Sequence, residues 1–185
     1  MNYFELFNIP VSFDVDLSVL PQTYQQLQRL THPDKFASAS EQEKLVAIQK
    51  NSQVNDAYSV LKSPLSRAEY LLSLRGIDLQ HEQQTIKDTT FLMQQMEWRE
   101  ELAEIAEQAD PLGALESLED EINQRIKSDL IKLSHLLESE RSLAERSLAE
   151  QSLAEKGAAD MIRQLKFSYK MLSEIEIKED VLSDF

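Results

Sequence analysis

The chain has 185 residues, 42% hydrophobic and 28% charged, with 3 Gly, 5 Pro and no Cys; this suits one or two modest domains and argues against an all-β chain of tight turns. Acidic residues outnumber basic ones 33 to 19, a formal charge of -14, so nucleic-acid backbones and anionic membrane surfaces would repel it. Without Cys there are no disulfides, thiol nucleophiles or thiolate metal sites, and with no membrane-length apolar run and no signal-peptide pattern in MNYFELFNIP the expected location is cytoplasmic.

Charge is unevenly spread. Residues 1–76 carry 7 basic and 8 acidic groups, whereas residues 77–185 carry 12 and 25, which implies two modules with different partners. The spacing of breakers predicts a first module at 1–76, a polar linker at 77–84 opened by the helix-stopping Gly76, and a second module at 85–185.

In the first module, residues 3–7 form a short apolar helical turn ending before Pro10. A second helix is expected from Ser18 as N-cap to about Thr31, with Pro21 in its first turn and Leu20, Tyr24, Leu27 and Thr31 facing inward. The sequence His32-Pro33-Asp34-Lys35 then interrupts it, because a residue before proline avoids helical backbone and aspartate favours turns. A third helix is predicted over 41–62, with Val54, Tyr58 and Leu61 on one stripe, and Ser63 and Pro64 read as N-cap and N1 of a fourth that ends near Gly76.

His32-Pro33-Asp34 is the sharpest local signal. Proline fixes the turn, the Asp34 carboxylate can accept a bidentate Arg contact, and His32 can both donate and accept. The tripeptide lies between a helix bearing Arg29 and one carrying Val54-Asn55-Asp56-Ala57-Tyr58. This arrangement resembles the J domain of DnaJ-type co-chaperones, whose loop and preceding helix engage a DnaK-type chaperone and stimulate its ATPase. The resemblance implies a chaperone-binding set of Arg29, His32, Pro33, Asp34 and Lys35. One departure stands out: J domains usually carry several basic residues on that helix, whereas Gln22, Gln25, Gln26 and Gln28 dominate here, so steering toward a generic chaperone should be weak and a dedicated partner is expected.

The second module reads as three long helices, roughly 88–109, 111–138 and 157–182, broken at Asp110-Pro111 and at Gly157. Short connections make them an antiparallel bundle. Between the last two, RSLAE, RSLAE and QSLAE repeat over 141–155; a five-residue period puts Leu143, Leu148 and Leu153 on different faces, so the segment reads as a solvated, helix-prone extension. On the first of the three helices, Phe91, Trp98, Leu102, Ile105 and Ala109 form the core stripe, while Leu92, Met93 and Met96 fall on the opposite side. On the last, Ala158, Met161, Ile162, Leu165, Tyr169 and Leu172 share a face, and Phe167 and Met171 point away. An apolar Met, Leu and Phe patch facing away from a core is characteristic of an adaptable binding surface.

Beyond Pro64, the runs Leu65-Ser66-Arg67-Ala68-Glu69-Tyr70-Leu71-Leu72 and Thr90-Phe91-Leu92-Met93-Gln94-Gln95-Met96-Glu97, followed by Arg99-Glu100-Glu101-Leu102, are similar to the HscB family, J-type co-chaperones of iron-sulfur cluster assembly. The resemblance spans nearly the whole chain apart from the repeats. It implies an all-α protein with an N-terminal J domain, a helical hairpin with an HPD loop, followed by a C-terminal three-helix bundle. It also implies two partners, a specialised DnaK-type chaperone (HscA-like) and an iron-sulfur scaffold protein (IscU-like). By the same resemblance the scaffold contacts are Leu92, Met93, Met96, Glu97, Arg99, Glu100, Glu104 and Phe167.

No enzymatic constellation competes with this reading. The histidines are His32, His81 and His135, and there is no Cys, Gly-rich phosphate loop or HExxH. The Glu-rich stretch at 97–107 lacks the Glu-x-x-His pattern of carboxylate metal sites and reads as a solvated helix face. Some eukaryotic relatives add a Cys-rich metal segment that this sequence lacks, so no zinc and no cofactor are expected. The alternative function is a general J-domain co-chaperone for unfolded clients, which predicts broad suppression of aggregation.

Overall fold

The computed structural model describes residues 1–36, 38–79, 86, 88–137 and 147–183, which divide into two compact units, the first built on residues up to 77 and the second on 88–136 with 148–183. All regular structure among the described residues is helical.

In the first unit, helix α1 (Tyr3–Leu6) is held by a capping box: the Asn2 side chain accepts from the Glu5 N–H, and the Glu5 carboxylate accepts from the Asn2 N–H. Helix α2 (Leu20–Thr31) starts later than the sequence suggests. Ser18 is not its cap, because both its N–H and its hydroxyl donate to Asp16 Oδ1, at 2.9 and 2.6 Å, closing a turn of their own. Val19 takes the cap position without a side-chain bond, and Pro21 sits in the first turn as expected. Helix α3 (Glu41–Lys62) matches its predicted span.

A capping box begins α3. Glu43 N–H donates to Ser40 Oγ, and Ser40 N–H donates to Glu43 Oε2 at 2.9 Å. The Ser40 hydroxyl also donates to Glu43 Oε2, at 2.7 Å, and this bond and that of the Ser40 N–H hold the Glu43 carboxyl below its ordinary value of 4.5. Their support of α3 is therefore complete above that value and fades as pH falls through the lowered one.

Helix α4 (Pro64–Leu74) begins as predicted, with the Ser63 hydroxyl accepting from the Ser66 N–H and Pro64 in the first turn. It ends in a Schellman motif. Gly76, at φ +85, donates to the Ser73 carbonyl while Ile77 donates to the Leu72 carbonyl, a left-handed step that glycine takes without steric cost. Ser63→Ala is expected to cost about 1 kcal/mol through loss of the cap, visible as a lower denaturation midpoint; an unchanged midpoint would mean the cap contributes nothing.

Helices α2 and α3 form an antiparallel hairpin. Tyr24 stacks on Tyr58 with ring centroids 4.2 Å apart, and Phe4, Phe7, Leu20, Val54, Ala57, Leu61, Ala68 and Leu71 are buried. Arg67 is buried among them: its Nε donates to the Leu61 carbonyl at 2.8 Å, its guanidinium also reaches the Phe13 carbonyl, and it lies over the Phe13 ring. Desolvation pulls its pKa down from the ordinary arginine range, and those carbonyl bonds offset much of the cost of burying a charge.

The second unit consists of helix α5 (Thr89–Glu104), a 3-10 turn (Ile105–Glu107), helix α6 (Pro111–Leu136) and helix α7 (Leu148–Ser183). Trp98 Nε1 donates to Glu121 Oε1 at 2.7 Å, tying α5 to α6. Gln164 of α7 donates to Asp88 Oδ2, the residue capping α5, and accepts from Arg125 of α6. Asp129 is fully buried and paired with Arg125 at 2.7 Å and Lys132 at 3.2 Å, so removing either cation would leave an undercompensated buried charge.

Three expectations are corrected here. Gly157 does not break a helix but lies within α7, which starts at Leu148 and takes in the last part of the RSLAE repeats; an interior glycine costs about 1 kcal/mol against alanine, and packing of the long helix overrides it. Leu148 and Leu153 are exposed there while Ala154 is buried, and the rest of the repeat falls outside the described residues, as does His81. Ala109 is exposed, because the regular α-helix gives way at Ile105 and the core stripe stops with it. Met171 is fully buried rather than facing away. Helix α7 packs on both α5 and α6, so its buried face is wider than a single stripe.

Candidate functional site

Two surfaces, one in each unit, gather the residues singled out in the sequence. In the first unit, α2 stops at Thr31 because His32 adopts extended backbone, φ -62 and ψ 128, the region favoured before proline. Pro33–Phe36 then form a 3-10 turn, with Lys35 N–H donating to the His32 carbonyl at 3.1 Å. The Asp34 N–H donates to His32 Nδ1 at 3.3 Å, and Asp34 Oδ2 lies 3.5 Å from the same nitrogen.

Both the backbone N–H and the carboxylate of Asp34 thus lie at His32 Nδ1 and restrain the imidazole, while the Asp34 side chain is 90% exposed and open to a guanidinium. Beside this corner lies a groove of about 370 Å³ lined by Gln25, Gln28, Arg29, His32 and Lys35. Arg29, His32 and Lys35 are thus brought together, with Asp34 next to them on the same turn. Gln25 and Gln28, which in the sequence stand out only as replacements for basic residues, join the groove through their four-residue helical spacing from Arg29 and His32.

In the second unit, Phe91 and Trp98 of α5 are buried and meet edge to face. The opposite side carries Leu92, Met93 and Met96, at 37%, 59% and 70% exposure, and Glu97, Arg99, Glu100 and Glu104 are exposed along the same helix. Phe167 of α7 does not stand free as its spacing suggests. It is half-buried, edge-on to Phe91 with centroids 6.0 Å apart, and the Arg99 guanidinium lies 5.1 Å from its centre. That cation–π contact ties Arg99 to the aromatic cluster. Arg99 also places one positive charge among the carboxylates of Glu97, Glu100 and Glu104. The result is an apolar spot with a largely acidic rim, a composition that recognises a partner presenting apolar side chains ringed by basic ones.

Among the described residues no group of three or more His, Cys, Asp or Glu could hold a metal ion. No helix is long and apolar enough to cross a membrane.

The family described as HSCB C-terminal oligomerisation domain matches residues 87–176. Over its whole length the chain is 57% identical to the co-chaperone protein HscB homolog of Pseudoalteromonas atlantica, covering 100% of both proteins. This chain belongs to the HscB co-chaperone family. Similar relatives include the homolog of Shewanella loihica, 50% identical over 98% of this chain and 99% of that protein. Among solved structures it is similar to chaperone HscB from Vibrio cholerae, at 43% identity and a TM-score of 0.81, covering 98% of this chain and 99% of the other. Human co-chaperone protein HscB is similar at 31% identity and a TM-score of 0.78, over 97% and 82% of the two chains. The all-α architecture of a J domain followed by a three-helix bundle is that of this family, and the chain is a co-chaperone, a helper of a chaperone rather than an enzyme.

Proposed function

We propose that this co-chaperone binds an iron-sulfur scaffold protein (IscU-like) through the second unit and delivers it to a specialised DnaK-type chaperone (HscA-like). The His32-Pro33-Asp34 corner, with Arg29 and Lys35, stimulates that chaperone's ATPase; the Leu92, Met93 and Met96 patch, with Glu97, Arg99, Glu100, Glu104 and Phe167, holds the scaffold. ATP hydrolysis tightens the chaperone's grip on the scaffold and promotes cluster transfer to recipient proteins. The chain performs no bond-breaking step itself; it changes the rate of its partner's.

The observation that carries this reading is the exposure of Leu92, Met93 and Met96 on the side of α5 opposite a buried Phe91 and Trp98. Contiguous apolar side chains without a packing role are costly to leave in water and favour a committed partner. The exposed Asp34 carboxylate beside a restrained His32 suits recognition of an arginine on the chaperone.

The test is the single-turnover ATPase rate of the specialised chaperone with this protein, in the presence and absence of the scaffold. Acceleration by both together beyond the product of their separate effects is expected. Acceleration indifferent to the scaffold would sink the adaptor role and favour a co-chaperone of unfolded clients.

A further inference from the structure

Helix α2 carries its polar residues on a surface that the preceding reading assigns to the chaperone, and one of them is held from behind. Gln28 Nε2 donates to the Tyr24 hydroxyl and to Asn55 Oδ1, each at 2.7 Å, and the Tyr24 hydroxyl donates to the same Asn55 oxygen at 3.0 Å. Tyr24 is in turn stacked on Tyr58. The three polar groups form a closed triangle bridging α2 and α3. A glutamine side chain on a helix surface ordinarily samples many rotamers; this one has both amide protons committed to neighbours. Its remaining hydrogen-bonding group is the carbonyl oxygen, an acceptor only, and Gln28 lines the groove with Gln25, Arg29, His32 and Lys35.

We propose that Gln28 is a specificity-determining residue of the chaperone-binding groove, accepting through its amide carbonyl a hydrogen bond from an N–H, ammonium or guanidinium donor on the DnaK-type partner. Tyr24 and Asn55 are positioning residues that aim this acceptor. A lysine or arginine at position 28 would present only donors and would select a partner surface rich in carboxylates. The glutamine instead places an acceptor within a groove that Arg29 and Lys35 otherwise fill with positive charge. The partner must then offer a donor at this point and acceptors on either side of it, a pattern that separates a dedicated chaperone from one with a uniformly acidic surface. Fixing the amide before contact lowers the entropy lost on binding.

This inference rests on the chaperone-binding assignment of the corner, and the experiment separates the two. ATPase stimulation of the specialised chaperone is titrated with the parent protein and with Gln28→Met, Gln28→Glu, Asn55→Leu, Asn55→Asp and His32→Gln, recording half-maximal concentration and maximal rate separately. Gln28→Met keeps length but removes the acceptor, and is expected to raise the half-maximal concentration about fivefold to tenfold, the effect of one lost hydrogen bond, with the maximal rate unchanged. Gln28→Glu keeps an acceptor but loses the amide protons that bond Tyr24 and Asn55, so it should be impaired like Asn55→Leu. Asn55→Leu should follow Gln28→Met, and Asn55→Asp, whose carboxylate still accepts both bonds, should restore the parent's value. A Gln28→Met variant that titrates like the parent overturns the acceptor role, and a Gln28→Glu variant that titrates like the parent overturns the positioning role. An Asn55→Leu variant that titrates like the parent overturns the positioning role, as does a defect that Asn55→Asp does not rescue. If His32→Gln retains stimulation, the assignment of the corner itself fails; if it loses stimulation while the Gln28 and Asn55 variants behave as the parent, only this inference does.

Discussion

His32→Gln is expected to abolish stimulation of the chaperone's ATPase while leaving the protein folded and its scaffold affinity unchanged. The side chain is half exposed and its polar contacts among the described residues are with Asp34, so its replacement opens no buried cavity. A surface change of this kind stays within about 0.5 kcal/mol of parental stability. Glutamine reproduces the polarity and much of the reach of imidazole but not its ring or the Nδ1 that Asp34 restrains. If the corner is an interaction hot spot, the loss corresponds to about 2 kcal/mol or more, roughly thirtyfold in the concentration needed for stimulation. Single-turnover ATPase measurements, paired with a denaturation curve, check both halves. Retained stimulation by a folded His32→Gln protein would remove the histidine from the functional account.

The double variant Leu92→Ala with Met96→Ala should weaken scaffold binding by about 2–3 kcal/mol, roughly thirtyfold to 150-fold in Kd, because two apolar side chains that would be covered by the partner are truncated. Stability should change little from Met96→Ala, whose side chain is 70% exposed in the free protein, and somewhat more from Leu92→Ala, which is 37% exposed, while the Phe91 and Trp98 core is untouched. Stimulation of the chaperone in the absence of scaffold should persist at the parental level. Titration calorimetry against the scaffold measures the affinity directly, and an unaltered Kd would take the patch out of the mechanism. The surrounding Glu97, Glu100 and Glu104 act differently: charges at a solvated rim chiefly alter the association rate and its dependence on salt.

Several features of the fold are legible from local sequence because local chemistry dictates them. Pro33 and Pro64 set helix ends through the restrictions they place on their own and the preceding backbone. Ser63 caps α4 because its hydroxyl reaches an N–H three residues on, and Gly76 ends it by entering a left-handed conformation. The exposed Leu92, Met93 and Met96 follow from angular spacing around Trp98, since about 100° per residue separates the two faces of a regular helix. The His32-Pro33-Asp34 motif is itself a local turn, so its residues are named by sequence alone.

Other features depend on groups distant in the chain. Ser18 looks like a helix cap until Asp16 competes for both its donors. Phe167 and Met171 have similar apolar character and both lie off the stripe of α7, yet one is half-buried under Arg99 and the other wholly enclosed; a spacing rule built for one neighbour cannot anticipate a helix packed on two. Gly157 would end an isolated helix, but within α7 the burial of Ala154, Ala158 and Ile162 on either side carries the helix through it.

What the sequence by itself determined is therefore the all-helical architecture, the positions of most helix ends and the residues of the HPD turn and of the exposed α5 patch, because each is set by interactions within a few residues. What only the tertiary structure decided is which polar groups are held and which remain available. Gln28 and Asn55 are twenty-seven positions apart, and Arg99 meets Phe167 across two helices. Hydrogen bonds and ring contacts between such distant positions exist only after packing has brought the helices together, and no local periodicity encodes their orientation.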